Sequence, residues 1–377
     1  MDAAQHPWHL DLVSREVSPP ETAAIDAIVV PTAREVSALD NALDLAAQAN
    51  CSLIVLCSRK ADAAATADAA RHKGVMGVVP VDVGAGVRLP RFQTTALLTD
   101  KAFVRRTDTA GKRNLGLAIS RMVGWQRVLF LDDDINEIVI DELTAGAALL
   151  DRYGAVGLQN DGFADNSVVC HANRDTGGEQ GTFVGGGAML VSVARITSFF
   201  PDVYNEDWFV LLNGSQLIDV AMSGTCAQTR YDPYADPDRA RQEEFGDCLA
   251  EGIFSLLDNQ VPLRAADATF WEKFLARRAE FIDSIVQKVP STVPPVTSTA
   301  DWTAHVLEAL KASKRSLAEI SPELCVEYLA TWRQDRRTWR RYLRTLPRLG
   351  TPREALEHLG LEVGDELPPA SSPSSRP

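Results

Sequence analysis

Basic charge is the first thing this chain is short of: 38 Lys and Arg stand against 51 Asp and Glu, a formal net charge of −13 over 377 residues. That balance excludes a general binder of phosphate backbones, whose affinity rests on clustered Lys and Arg, so no nucleic-acid partner is expected. Paired cysteine motifs are missing as well. Cys51, Cys57, Cys170, Cys226, Cys248 and Cys325 form no CxxC pair and no metal-ligand spacing, and several lie in apolar runs. They read as reduced, mostly buried thiols rather than a zinc site or a disulfide framework. Nowhere do eighteen uncharged apolar residues run together, and MDAAQHPWHLDLVSREV has no basic stretch leading into an apolar one, so a cytoplasmic protein without a membrane span is expected. A phosphate loop is absent too, since AGKR has Arg106 where that motif needs glycine and Lys112 is followed by Arg113 rather than Ser or Thr. No repeat appears at solenoid periods.

What is present is a folding chain. The hydrophobic fraction of 45% and charged fraction of 24% are ordinary for a globular protein of this length. From residue 25 short β-branched runs alternate with alanine-rich stretches, which predicts a mostly parallel sheet covered by helices. Strands are expected over 25–30, ended by Pro31, and over 52–56, 75–81, 127–131, 155–159, 167–171 and 188–193, with helices over 37–49, 61–72 and 112–122. After residue 261 the strand signals stop. Helical patterns then cover 265–286, 301–311 and 321–346, broken by the linker PSTVPPVTST, and Ser321-Pro322-Glu323 is a strong helix start. The expected division is an extension over 1–21, an α/β domain over 22–262, a helical region over 263–362 and a tail over 363–377, whose ELPPASSPSSRP reads as disordered.

The segment AGKRNLGLAISRMVGWQRVLFLDDDI, 110–135, orders a helix, a fully apolar strand and three aspartates. Open α/β sheets bind ligands beyond the carboxyl ends of their strands, where Asp132, Asp133 and Asp134 stand. Adjacent carboxylates repel one another unless a cation or hydrogen-bond donors compensate. A solvated acidic turn is the plain alternative for a bare triplet, but the buried strand before it favours a hard divalent ion. Mg²⁺ or Mn²⁺ commonly binds through one or two carboxylates plus substrate phosphates.

With VVPTAR closing the first strand and Lys112-Arg113-Asn114-Leu115-Gly116 preceding the aspartates, the sequence resembles glycosyltransferase family 2 and its relatives with the GT-A fold, a pattern spanning 25–257. The resemblance implies a mixed sheet flanked by helices and transfer of a sugar from a UDP- or GDP-sugar to a hydroxyl-bearing acceptor, whose identity it leaves open. It implies that Asp134 and Asp132 hold the metal, Mg²⁺ or Mn²⁺. Pro31, Thr32, Arg34, Lys112, Asn114, Asp132 and Asp133 would line the donor site. In TFVGGGAMLVSV, consecutive Gly185, Gly186 and Gly187 let backbone approach a ligand closely, although a tight turn would use them equally; the resemblance sets this loop against the donor sugar.

Glu206 and Asp207 open the apolar run of FPDVYNEDWFVLL and resemble the family's acidic catalytic pair, with Asp207 as the base of an inverting reaction. Acids in a first helical turn also simply complement the dipole. Some relatives add a histidine ligand after the base, but none occurs between His171 and His305, so the third metal ligand stays open. His171 itself reads as a structural histidine. The loop RYDPYADPD could close over bound substrates, with Glu244 and Asp247 on the helix after it.

In TWRQDRRTWRRYLR, Arg333, Arg336, Arg337, Arg340, Arg341 and Arg344 share a helix with Trp332 and Trp339. Such a face suits a phosphate-bearing acceptor, an anionic membrane or RNA, or else is a solvated surface meeting this acidic protein's own body or a second copy. Two other functions stay open, a sugar-nucleotide mutase or self-glycosylating protein of the same fold and a noncatalytic nucleotide-sugar binder. A nucleotidyltransferase is disfavoured, because VVPTAREVS lacks its glycine loop.

Overall fold

The computed structural model describes residues 9–15, 21–161, 163, 167–179, 183–296 and 301–364. Thr182 and the stretch expected to be disordered, 366–377, lie outside these. A short strand β1 (Ser14–Arg15) precedes an alternation of β2 (Ala27–Thr32), α1 (Asp40–Ala49), β3 (Ser52–Cys57), α2 (Ala63–Lys73) and β4 (Val78–Asp82). Helices α3 (Gln93–Leu98) and α4 (Thr109–Val123) then lead into β5 (Arg127–Leu131), β6 (Ile135–Asn136), α5 (Ile140–Leu149) and β7 (Ala155–Asn160). The mixed portion ends with α6 (Val168–Asp175), β8 (Ala188–Ser192), α7 (Glu206–Val210) and β9 (Val220–Gln228). Beyond it the described residues are helical: α8 (Pro237–Asp258), α9 (Ala268–Lys288), α10 (Trp302–Leu317), α11 (Pro322–Thr345) and α12 (Pro352–His358).

The strands form one sheet in the order β1-β9-β7-β8-β5-β2-β3-β4, with β6 paired to β9. Parallel pairing joins β4, β3, β2 and β5, whereas β8 runs antiparallel between β5 and β7. Every residue of β2 is buried, as suits a strand covered on both faces. The chain leaves β2 toward β3 and β4 and then returns to β2's other side with β5, so the strand order reverses between the carboxyl ends of β2 and β5. Such a reversal opens a crevice at those ends.

Helix α4 packs tightly over this junction because of Gly116. A Cβ there would stand 2.7 Å from Val29 and 3.1 Å from Phe130, which are partners across β2 and β5. The apolar face under α4 is continuous with the C-terminal helices, whose Trp271, Trp332 and Trp339 are all fully buried. A second apolar cluster fills the other face beneath α1, α2 and α5. The six cysteines are free and buried, and burial pushes the thiols of Cys51 and Cys325 up to about 12 and that of Cys57 to about 11. Among the described residues no helix is long and apolar enough to cross a membrane.

One expected strand is a helix. Residues 167–171 begin α6, where the Ser167 side chain accepts from the Cys170 N–H and supplies an N-cap that the apolar run VVCHA had masked. Strand β9 and helix α5 were not anticipated. The residues of β9, VAMSGTCAQ, are mostly small, with a central glycine and no β-branched or aromatic run, and only about half of them are buried, so they carry little β signal. In the C-terminal third, α9, α10 and α11 lie where periodicity set them, and Ser321 caps α11 by accepting from Leu324 N–H.

Candidate functional site

Thr32 ends β2 and Leu131 ends β5, so the three aspartates emerge beside the β2 terminus. Thr32 Oγ1 donates to Asp133 Oδ2 at 2.6 Å, fastening the two strand ends together. Arg34, whose side chain is half exposed, reaches back to Asp134 at 3.0 Å and Asp133 at 3.2 Å. Gln228, at the end of β9, adds an N–H toward Asp134 at 3.4 Å. Burial raises the Asp133 carboxyl above its usual range and Asp134 adds to that, while Thr32 and Arg34 oppose the shift without cancelling it.

Lys112 is fully buried one turn into α4. Its ammonium donates to Thr32 O at 2.7 Å and Ser58 Oγ at 2.6 Å and pairs with Asp108 at 3.1 Å, so it ties the ends of β2 and β3 to the start of α4. Asn114 serves a similar end. Its amide exchanges two hydrogen bonds with the Phe200 backbone, at 2.7 and 2.9 Å, and anchors the segment leading to α7. Both residues therefore stand behind the crevice rather than on its surface.

Arg113, between them, joins the two acidic motifs. One guanidinium nitrogen donates to both oxygens of Asp132, at 2.8 and 2.9 Å, and the other donates to Glu206 at 3.0 Å. Arg105 takes the second oxygen of Glu206 at 2.7 Å. Burial alone would weaken the charged form of Arg113, but Asp132, Glu206 and Asp207 outweigh it and hold the guanidinium more firmly protonated than usual.

The glycine loop completes the arrangement. Gly187 O accepts from the Asp132 N–H at 2.8 Å, and Gly186 N–H donates to Asp207 Oδ2 at 2.6 Å. A Cβ on Gly186 would stand 2.7 Å from Arg113 and 2.8 Å from Asp207, so only glycine fits between them.

These groups line one cavity of about 660 Å³, whose wall includes Arg34, Arg113, Asp132, Asp134, Gly185, Gly186, Glu206 and Asp207. A shallower extension of about 190 Å³ adds Pro31, Ala33, Asp133 and the start of α4. Its rim carries Arg59, held at φ +58° with its guanidinium on the Arg106 carbonyl. Among the described residues Arg59 has no carboxylate partner, unlike Arg34, Arg105, Arg106 and Arg113.

No protein-family model matches the chain, and no curated protein does. Among solved structures it is similar to a mannosyltransferase of Pyrobaculum calidifontis, in complex with GDP-Man and Mn²⁺, at 15% identity and a TM-score of 0.43, over 90% of this chain and 89% of that one. A likeness that distant bears on neither donor nor chemistry.

The cavity's far end is built on α8. Glu243, Asp247 and Glu251 follow at four-residue spacing on one buried face. Arg239 holds Glu243, Arg278 and Ser167 hold Asp247, and His9 holds Glu251. Cys170, Asp247 and Glu251 bring potential ligand atoms within 4.8 Å of one another, but their charge is already compensated by these cations. His171 is stacked on Phe163 with a 3.4 Å contact to Tyr231, and burial with nearby Arg239 and Arg174 lowers it to about 3, so it is a neutral structural ring.

The structure brings the two acidic motifs and the glycine loop singled out in the sequence to one cavity, together with Arg105, Arg113 and Arg59, which were not among the expected site residues. The sequence carries a signal for Arg113: a basic residue one turn into the helix that precedes the aspartate strand. Arg105 and Arg59 lie in irregular loops, where nothing in the spacing points inward.

Proposed function

We propose that the chain is a glycosyltransferase of the GT-A type, moving a sugar from a UDP- or GDP-sugar to an acceptor hydroxyl with inversion, Asp134 and Asp132 holding Mg²⁺ or Mn²⁺. The observation that carries this reading is the pairing of Asp132 and Asp134 at the strand-order reversal with Asp207 across the same cavity.

The donor set suits a hard cation. It consists of carboxylate oxygens, which hard divalent cations prefer. When bound, such an ion supplies positive charge to the diphosphate as it departs. Pro31 and Arg34 run along the nucleotide, with Thr32 buried behind them and holding Asp133 instead of lining the site as its sequence suggested, and Arg59 offers its uncompensated charge to the phosphates. Gly185 and Gly186 bring backbone against the sugar, Gly187 holds the Asp132 N–H behind them, and Lys112 and Asn114 brace the walls.

Asp207 takes the proton of the acceptor hydroxyl as its oxygen bonds to the anomeric carbon, and the bond from that carbon to the diphosphate breaks on the opposite side. The Gly186 N–H keeps the Asp207 carboxylate in place. Glu206 has both oxygens engaged by arginines, so we give it a positioning role instead of the catalytic one its sequence suggested.

The test is a screen of UDP- and GDP-sugars with Mn²⁺ and hydroxyl acceptors, following nucleoside diphosphate release and the glycosylated product. Asp207→Asn should bind donor but not transfer. Release of an isomerised sugar nucleotide without acceptor would indicate a mutase, and binding without turnover across all acceptors would indicate a noncatalytic binder.

A further inference from the structure

Residues 333–348 hold seven arginines and one acid, Asp335, in a chain where acids outnumber bases. Asp335 is buried and its carboxylate caps α3, accepting from Gln93 N–H at 3.0 Å and Thr94 N–H at 2.8 Å. It is therefore turned away from the arginines. Trp332, Trp339 and Leu343 are buried on the same side, which locks α11 against the body. At about 100° per residue, Arg337, Arg340, Arg341 and Arg344 fall within about a third of the helix circumference, opposite the tryptophans.

All four are exposed, and among the described residues none has a carboxylate partner. Crowding reaches the neighbours: burial, with Arg340 and Arg337 adding to it, lowers the buried Arg336 below its ordinary range, and Arg333 is lowered by burial and Arg337. Uncompensated like charge costs stability that one exposed acid per turn would relieve. An external anion relieves it equally, and guanidinium is the side chain that grips phosphate through two hydrogen bonds.

The shape of the surface narrows the anion. Single-stranded nucleic acid is held in a basic groove with aromatic rings for its bases, whereas here the surface is the convex side of a helix and both tryptophans face inward. Duplex grooves admit a protruding helix, but α11 lies flush on α3 and α9. A plane of phosphate headgroups matches a straight stripe, and screening over about 8 Å at physiological salt limits repulsion from the acidic body behind it.

We propose that α11 docks the protein peripherally on an anionic phospholipid surface through Arg337, Arg340, Arg341 and Arg344. Arg348, just past the helix, donates to Arg121 O near the far end of α4, a helix about 22 Å long whose opposite end opens on the crevice. Docking on this stripe leaves the crevice accessible, and it is independent of which reaction runs there.

The test is co-flotation of the full chain with vesicles of phosphatidylcholine alone or mixed with phosphatidylglycerol. Binding is expected only to the anionic vesicles, weakening with salt and by about fivefold for each arginine replaced by glutamine. A variant with all four replaced should keep its melting temperature and far-ultraviolet spectrum, and its turnover of soluble substrates, while losing vesicle binding. Absence of binding, equal binding to both vesicle types, tighter binding to RNA of equal phosphate content, or a salt-labile dimer abolished by the same variant would each overturn the proposal.

Discussion

Asp132 and Glu206 are held by one guanidinium, that of Arg113, at 2.8 and 3.0 Å, so the partly exposed aspartate triplet and the buried acidic pair of α7 form one charged unit around a buried arginine. Breaking a buried pair from one side leaves an uncompensated charge. Arg113→Met should therefore lose about 3–5 kcal/mol of stability in chemical denaturation. Arg113→Lys keeps the charge but not the fork, and an intermediate loss is expected. Glu206→Gln should cost less than Arg113→Met, because Asp132 keeps its partner.

Gly186→Ala places a methyl between Arg113 and Asp207, at 2.7 and 2.8 Å from them. We expect about 1–3 kcal/mol of destabilisation. Turnover should fall by about a hundredfold as Asp207 is displaced, with donor affinity changed less. Parallel donor titrations and rate measurements separate the two effects.

The acidic motifs were legible because an apolar strand ending in charge is costly unless something compensates, and Arg34 and Arg113 are among the groups that do so. The sheet was legible wherever a strand is buried on both faces, as in β2 and β5. It was not legible in β9, whose mostly small residues receive their order from β7 and β1 and not from their own propensity. Nor could Lys112 and Asn114 be separated from the crevice by sequence alone. Polar residues on α4 look the same whether they face a ligand or, as here, the Thr32 and Phe200 backbones.

His9 gives a pH signature. Burial alone would depress it, but hydrogen bonds to Asp258 and Glu251 prevail and raise it from 6.5 to about 9. A raised histidine contributes stability that is fully present below pH 6.5 and lost as pH rises through about 9. The loss should reach about 3 kcal/mol, and His9→Gln should flatten the curve between these limits. Equal slopes in the two proteins would contradict the ion pairing.

The cysteines give a simpler check. All six are buried with their thiols held protonated, or in Cys226 shielded, so alkylation at pH 8 should be negligible until denaturant is added. Mass spectrometry of native and unfolded samples reads the difference directly.

The proposed role of Asp134, just past the end of β5, is to hold the metal of a nucleotide-diphosphate site. Calorimetric titration of UDP and GDP into the protein, with and without Mn²⁺, tests it most directly. At least one nucleotide should bind and should bind markedly more tightly with Mn²⁺, and Asp134→Ala should lose that enhancement with the melting temperature of the unliganded protein little changed. Binding of neither nucleotide, or enhancement that survives in Asp134→Ala, would contradict it.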